Sequence, residues 1–162
     1  FVPPAPAREV RHGDSTCPVC VELASEARAT VRIVAKRGSW VAWVPFASSY
    51  PYGMRFAPPA HIGSLSELDE GQRDDLAHLL TDALGRYDRL WPTRANGDRF
   101  PYVMWFHQAP ACGGDPWHVH AHVGPPMRAP GVPRFVASSE LGSGTMSNPV
   151  LPEDAARALR DA

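Results

Sequence analysis

No apolar run in this sequence approaches the roughly 20 residues that a membrane-spanning helix requires, and no secretory leader is recognisable. Net charge is also nearly absent, at −1. That excludes a broad basic footprint for nucleic acid or an anionic membrane, so any phosphate chemistry needs a local site. Cysteines are scarce and odd in number, three in all. Without a secretion signal, such a count favours a reducing compartment, with metal ligands or buried thiols in place of disulfides. The cytoplasm is the expected location. An initiating methionine is missing too: the chain starts at Phe1 and runs through Pro3, Pro4 and Pro6. We expect it to be a piece of something longer, with residues 1–16 as an arm from a missing upstream half. There is no internal repeat and no low-complexity tract.

What is present suits one soluble domain: 162 residues, 44% apolar and 20% charged, enough for a real core. Residues 17–162 read as its globular body. An Ala/Glu-rich helix is expected at about 20–28, and β-branched residues 30–35 read as a strand. Residues 36–39 supply a turn, and residues 40–46 and 54–57 two more strands. Ser66-Glu67-Leu68-Asp69 has capping-box spacing before a long amphipathic helix ending near Leu90, with His78 on its exposed face. Residues 101–107 form a further strand, expected to pair antiparallel with the one that follows it. Residues 125–133 read as irregular and residues 134–138 as a last short strand. A terminal helix starts at Pro152, where proline is well placed. The order implies an α+β fold, an antiparallel sheet with helices packed on one face.

The chemistry concentrates in Trp117-His118-Val119-His120-Ala121-His122-Val123. Side chains alternate along a strand, so the three histidines share one face and the apolar residues the other. Three imidazoles in a row suit metal binding, phosphate binding or proton chemistry. Cys17 and Cys20 form a C-x-x-C that clamps a metal from one loop, and zinc then needs two more ligands, drawn from His61 and one strand histidine. A second set is His107, His120 and His122 with Glu9, a donor mixture for zinc or iron(II). The rival use of the strand is nucleophilic, with His120 attacking a nucleotide α-phosphate to form a phosphoramidate.

These residues carry a resemblance. His118-Val119-His120-Ala121-His122-Val123 looks like the His-φ-His-φ-His-φ signature of the histidine-triad superfamily. More closely, the chain resembles the C-terminal half of the galactose-1-phosphate uridylyltransferase family, whose members consist of two histidine-triad-like halves. The strand ending Trp105-Phe106-His107-Gln108-Ala109-Pro110, the segment from Trp117 to Pro126, and Arg134-Phe135 with Glu140 all carry it. So does Phe1-Val2-Pro3…Arg8-Glu9, similar to the stretch downstream of that family's catalytic His-Pro-His motif.

The resemblance implies UMP exchange between UDP-glucose and galactose 1-phosphate by a ping-pong route. It places the nucleophilic histidine in an N-terminal half, since no His-Pro-His occurs here. It implies no catalytic residue in this half, a homodimer, and a second metal, iron or zinc, on Glu9, His107, His120 and His122. Glu140, with Arg134 and Phe135, falls on substrate-contacting positions, whereas the family's glutamine six positions after Glu140 is Met146 here or is shifted by a nearby insertion. The similarity between the family's two halves also implies zinc on Cys17, Cys20, His61 and His118. The alternative is an autonomous histidine-triad hydrolase or nucleotidyltransferase using His120.

Overall fold

A computed structural model describes residues 17–91, 99–111, 117–136 and 138–162. In chain order these form α1 (Pro18–Ala29), β1 (Ile33–Arg37), β2 (Trp40–Trp43), β3 (Met54–Ala57) and a short 3-10 turn (Leu65–Glu67). Then come α2 (Glu70–Leu90), β4 (Val103–His107), β5 (His120–Gly124), β6 (Met127–Ala129), β7 (Val132–Pro133), α3 (Ser138–Ser143) and α4 (Pro152–Asp161). Five strands make one antiparallel sheet in the order β1-β2-β3-β5-β4. The expected pairing of the histidine strand with residues 103–107 is present, with His107 opposite His120 and Trp105 opposite His122. The fold is α+β, as expected.

Alternation along the strands sorts residues between two faces. On one, Trp40, Ala42, Met54, Phe56, Ala121 and Val123 meet Leu79, Ala83 and Tyr87 of α2 and Ala156 and Leu159 of α4. This is the main core. The opposite face of β2 is apolar as well, so a helix is needed there too. Val41, Trp43 and Ala57 pack against Cys17, Val19 and Leu23 of the α1 segment. Helices α2 and α4 therefore share one face, while α1 packs on the other. The expectation of helices on one face holds for α2 and α4 and does not extend to α1. Among the described residues no helix packs on the part of that second face formed by β5 and β4, which carries His107, His120 and His122.

Local differences have local causes. The capping box of α2 is Asp69 with Gln72, one turn after the expected one: Asp69 Oδ1 accepts from the Gln72 amide at 2.7 Å, and Gln72 Oε1 accepts from the Asp69 amide at 2.9 Å. Ser66 instead lies in the 3-10 turn. β1 starts later and ends later than expected, because Thr30 takes a left-handed conformation (φ 61°) that ends α1. Gly38, at φ 45°, then makes the turn, with Ser39 donating its amide to Asp75 at 2.9 Å. Residues 125–133 are not wholly irregular, since β6 and β7 form a two-stranded ribbon there. The strand expected at 134–138 is absent: residues 134–136 are irregular and Ser138 opens α3. The arm at 1–16, including Glu9, lies outside the described residues. No helix among the described residues is long and apolar enough to cross a membrane.

Candidate metal centres

Two clusters of metal-ligating side chains occupy the second sheet face. The first joins Cys17, Cys20, His61 and His118, whose donor atoms all lie within 4.8 Å of one another. They come from three pieces of the fold. Cys17 is the N-cap of α1 and Cys20 sits in its first turn, so one helical turn presents both sulfurs together. His61 follows Pro58-Pro59, where the chain leaves β3. The carbonyls of Ile62 and Gly63 then accept from the amides of Val119 and Ala109 at 2.7 and 2.8 Å, which fixes His61 beside the histidine strand. His118 precedes β5 and is 4% exposed.

Distances within this cluster suit zinc. Cys17 Sγ to His118 Nδ1 is 3.6 Å, Cys20 Sγ to His118 Nδ1 is 3.3 Å, and Cys20 Sγ to His61 Nδ1 is 3.4 Å. A tetrahedral ion with ordinary Zn–S and Zn–N lengths sets sulfur and nitrogen about 3.6 Å apart. The far nitrogen of His118, Nε2, donates to the carbonyl of Pro58 at 2.8 Å. That bond assigns the proton to Nε2 and leaves the Nδ1 lone pair directed at the sulfurs, as a metal ligand requires. Burial, aided by the neighbouring His61 and His120, lowers the pKa of His118 to about 4 against the pull of the Pro58 bond, so the ring is neutral at physiological pH. Burial, followed by the hydrogen bond and charge of Cys17, raises the Cys20 thiol to about 11. Thiolate formation there thus needs a compensating cation. The donor set and its spacing fit a Cys₂His₂ zinc ion.

The second cluster is His107, His120 and His122, also with donor atoms within 4.8 Å. His120 and His122 are alternate residues of β5, and His107 is the cross-strand partner of His120 on β4. The His107 and His120 rings lie 4.9 Å apart, edge on, and His122 completes the triangle at 4.9 and 5.0 Å. His120 Nδ1 donates to the His118 carbonyl at 2.8 Å, leaving Nε2 to face His107 Nδ1 at 3.2 Å. Nitrogens sharing a tetrahedral ion sit about 3.3 Å apart. Three imidazoles converging in this way fit iron or zinc.

Sequence reasoning missed the neighbours of this triangle. Trp105 stacks on His122 at 5.0 Å and 5°, holding the ring plane. Strand alternation back from His107 reaches Trp105, so the signal was present. Arg55, on the other side of His122 in the sheet, pairs with Glu22 of α1, which also accepts from Trp43 Nε1 at 3.0 Å. Nothing in the sequence joins Glu22 to Arg55.

The residues assigned to substrate follow β7, and Tyr50 links them to the triangle through Trp105, at 6.2 Å between ring centroids. Arg134 and Glu140 form an ion pair, with side chains 9% and 3% exposed, and Glu140 also accepts from the Ser147 amide at 3.2 Å. Arg134 stacks over Tyr50 at 4.7 Å. Phe135 is 75% exposed and Met146 is exposed as well. The structure therefore brings Arg134 and Glu140 together and leaves Phe135 outward.

An antiparallel five-stranded sheet with a cysteine–histidine and a triple-histidine cluster on one face defines a histidine-triad-like domain. The fold is shared with a Zn-bound histidine triad family protein from Mycobacterium smegmatis, at a TM-score of 0.53 and 18% identity. The chain belongs to a narrower group: residues 13–162 match the family model of the galactose-1-phosphate uridyl transferase C-terminal domain. Among its relatives, the Thermotoga maritima galactose-1-phosphate uridylyltransferase is 34% identical over 90% of this chain and 44% of that protein. The Rattus norvegicus enzyme is 32% identical over 99% of the chain and 44% of its own length. A solved uridylyltransferase superposes with a TM-score of 0.85 at 28% identity, covering 99% of this chain and 52% of that one. The chain thus spans about half the length of the relatives it matches.

Proposed function

We propose that this chain acts as the C-terminal domain of a UDP-glucose–hexose-1-phosphate uridylyltransferase. In this reading UMP passes between UDP-glucose and galactose 1-phosphate through a uridylyl-histidine whose nucleophile belongs to an N-terminal histidine-triad-like half. The domain described here supplies support, substrate contacts at Glu140, Arg134 and Phe135, and the surface of a cytoplasmic homodimer. Cys17, Cys20, His61 and His118 would hold zinc, while His107, His120 and His122, with Glu9 from the arm, would hold iron or zinc. Bound metal supplies cross-linking of distant segments. The chain's own residues do the positioning: Pro58 and the His118 carbonyl fix two ring tautomers, and Trp105 fixes the His122 plane.

The observation that carries this reading is the engagement of both nitrogens of His120. Nδ1 donates to a backbone carbonyl and Nε2 faces His107, and the residue is 3% exposed. A nucleophile needs one nitrogen open to an incoming phosphate. His120 is built as a ligand.

The test compares the isolated 162-residue chain with the same chain joined to its upstream half, using radiolabelled UDP-glucose. The joined protein is expected to form an acid-labile uridylyl adduct and to transfer it to galactose 1-phosphate, with the label mapping outside residues 1–162. The isolated chain is expected to do neither. Label on His120, or cleavage of a nucleoside phosphoramidate by the isolated chain that His120→Ala abolishes, would establish the autonomous histidine-triad enzyme instead.

A further inference from the structure

The stretch after β7 carries the Arg134–Glu140 pair but has little apolar anchorage of its own. α3 contributes no buried apolar residue, and Phe135, Val136, Leu141 and Met146 are all exposed. Yet the Arg134 and Glu140 side chains are 9% and 3% exposed. A buried ion pair offsets its desolvation only when its geometry is held closely, so specific contacts must set its position. One turn, residues 48–50 between β2 and β3, makes such contacts with both ends of the stretch. At the start, the Arg134 guanidinium lies 4.7 Å over the Tyr50 ring. At the end, Asn148 Nδ2 donates to the carbonyls of Ser48 and Tyr50 at 3.0 and 3.3 Å, while its Oδ1 accepts from the Val150 amide at 3.0 Å.

Tyr50 is itself fixed, backbone and ring. Its carbonyl also accepts from Ser48 Oγ at 2.8 Å and from the Gly53 amide at 2.9 Å. Its ring lies against Gly124 of β5, where a Cβ would come within 3.1 Å of it, and tilts at 59° to Trp105, 6.2 Å away. A guanidinium over an aromatic ring is held through its own flat face. Its N–H groups lie in that plane and stay directed at carboxylate or phosphate oxygens. Arg134 gives one of its nitrogens to Glu140.

We propose that Tyr50 and Asn148 form a clamp that positions the Arg134–Glu140 pair for a hexose 1-phosphate, Tyr50 being a positioning residue that acts through Arg134. The identity of the ligand rests on the uridylyltransferase reading; the clamp rests on the contacts above. Tyr50 works through its π face, so the ring matters and the bulk does not: phenylalanine serves in its place and leucine fails. Contacts made equally in the ground and transition states raise KM when lost and leave kcat in place.

The test uses the chain joined to its upstream half. Tyr50→Leu is expected to raise KM for galactose 1-phosphate about tenfold, the range of a desolvated cation–π contact, with kcat held. Tyr50→Phe is expected to bring KM back within about twofold, and Asn148→Ala to raise it about threefold. Uridylylation by UDP-glucose, divided by that from uridine 5′-phosphorimidazolide, which carries no hexose, is expected to fall about tenfold in Tyr50→Leu. A second measurement needs no substrate. Hydrogen exchange read by mass spectrometry is expected to quicken over residues 138–147 in Tyr50→Leu and in Asn148→Ala, but not over β1 to β3. Tyr50→Phe as impaired as Tyr50→Leu, an equal loss with the phosphorimidazolide, or exchange over 138–147 that neither variant changes would overturn the proposal. Should Tyr50→Leu lose protection throughout the sheet, Asn148→Ala decides, and an unchanged KM with unchanged exchange there overturns the clamp. A joined wild-type protein that transfers no UMP would sink the uridylyltransferase reading, and the exchange measurement would still decide the clamp.

Discussion

Tyr87 is fully buried at the centre of the main core, stacked on Phe100 with ring centroids 5.1 Å apart, and its hydroxyl donates to the Tyr52 carbonyl at 2.6 Å. Burial raises its pKa well above the ordinary 10.0, against a smaller opposing pull from the Met54 backbone. The neutral phenol is favoured in the folded state, so its contribution to stability is complete below the unfolded value. That contribution is lost as pH rises from about 10 towards the folded pKa. Thermal unfolding followed by circular dichroism is expected to show Tm falling steeply above about pH 10. Tyr87→Phe keeps the ring packing and loses one hydrogen bond, at a cost of about 1 kcal/mol near neutrality. It should flatten the alkaline fall to the part supplied by Tyr52 and Cys20, whose phenol and thiol are also raised by burial. An unchanged alkaline limb in Tyr87→Phe would place the titrating group elsewhere.

Elements on opposite faces of the sheet are joined at its edge by Arg32, just before β1. Its guanidinium bonds both oxygens of Glu26 in α1, at 2.9 to 3.0 Å, and reaches Glu153 in α4 at 2.7 Å. Glu26 is 2% exposed, so removing its partner leaves a buried charge. Arg32→Ala is expected to cost about 3 kcal/mol in urea unfolding, whereas Arg32→Met with Glu26→Leu should recover most of that. If Arg32→Ala costs no more than an ordinary surface substitution, the bridge is solvated and this joint is weak. None of this is legible in the sequence, because Arg32 and Glu153 are 121 residues apart and charge carries no periodicity across such a gap. What was legible had a local period. Alternation in residues 117–123 placed the histidines on one face and Val119, Ala121 and Val123 in the core, and Leu76, Leu79, Ala83 and Tyr87 marked the buried stripe of α2. Short elements without a period were misread. The β6–β7 ribbon has only three and two residues, and α3 falls mainly in the Gly/Ser-rich stretch after the expected strand, where the residues give neither pattern. The second-face role of α1 was hidden for a different reason: β2 is buried on both sides, and a continuous apolar run does not say what covers each face.

At the scale of the whole molecule, the two clusters close long loops at one sheet face. The first ties positions 101 residues apart, Cys17 to His118, and the second ties the edge strand β4 to β5. Ions bound there would remove conformational freedom from the unfolded chain and link α1, the His61 segment and the histidine strand into one unit. A bond from His120 Nδ1 to the His118 carbonyl joins the clusters, and it involves no donor atom that either ion would need. They are therefore expected to load separately. Plasma mass spectrometry of protein purified without chelator should find two metals per chain. Cys17→Ser should remove zinc alone and His107→Ala the second metal alone. The loss of zinc is expected to lower stability by about 3 kcal/mol, or roughly 10 °C in Tm for a domain of this size. A Cys17→Ser protein that lost both metals would show the His118–His120 bond to be a strong coupling and would make the two clusters one cooperative centre. A wild-type chain that binds no metal at the triple-histidine cluster would instead release His120 from a ligand role and return the nucleophilic reading to the front.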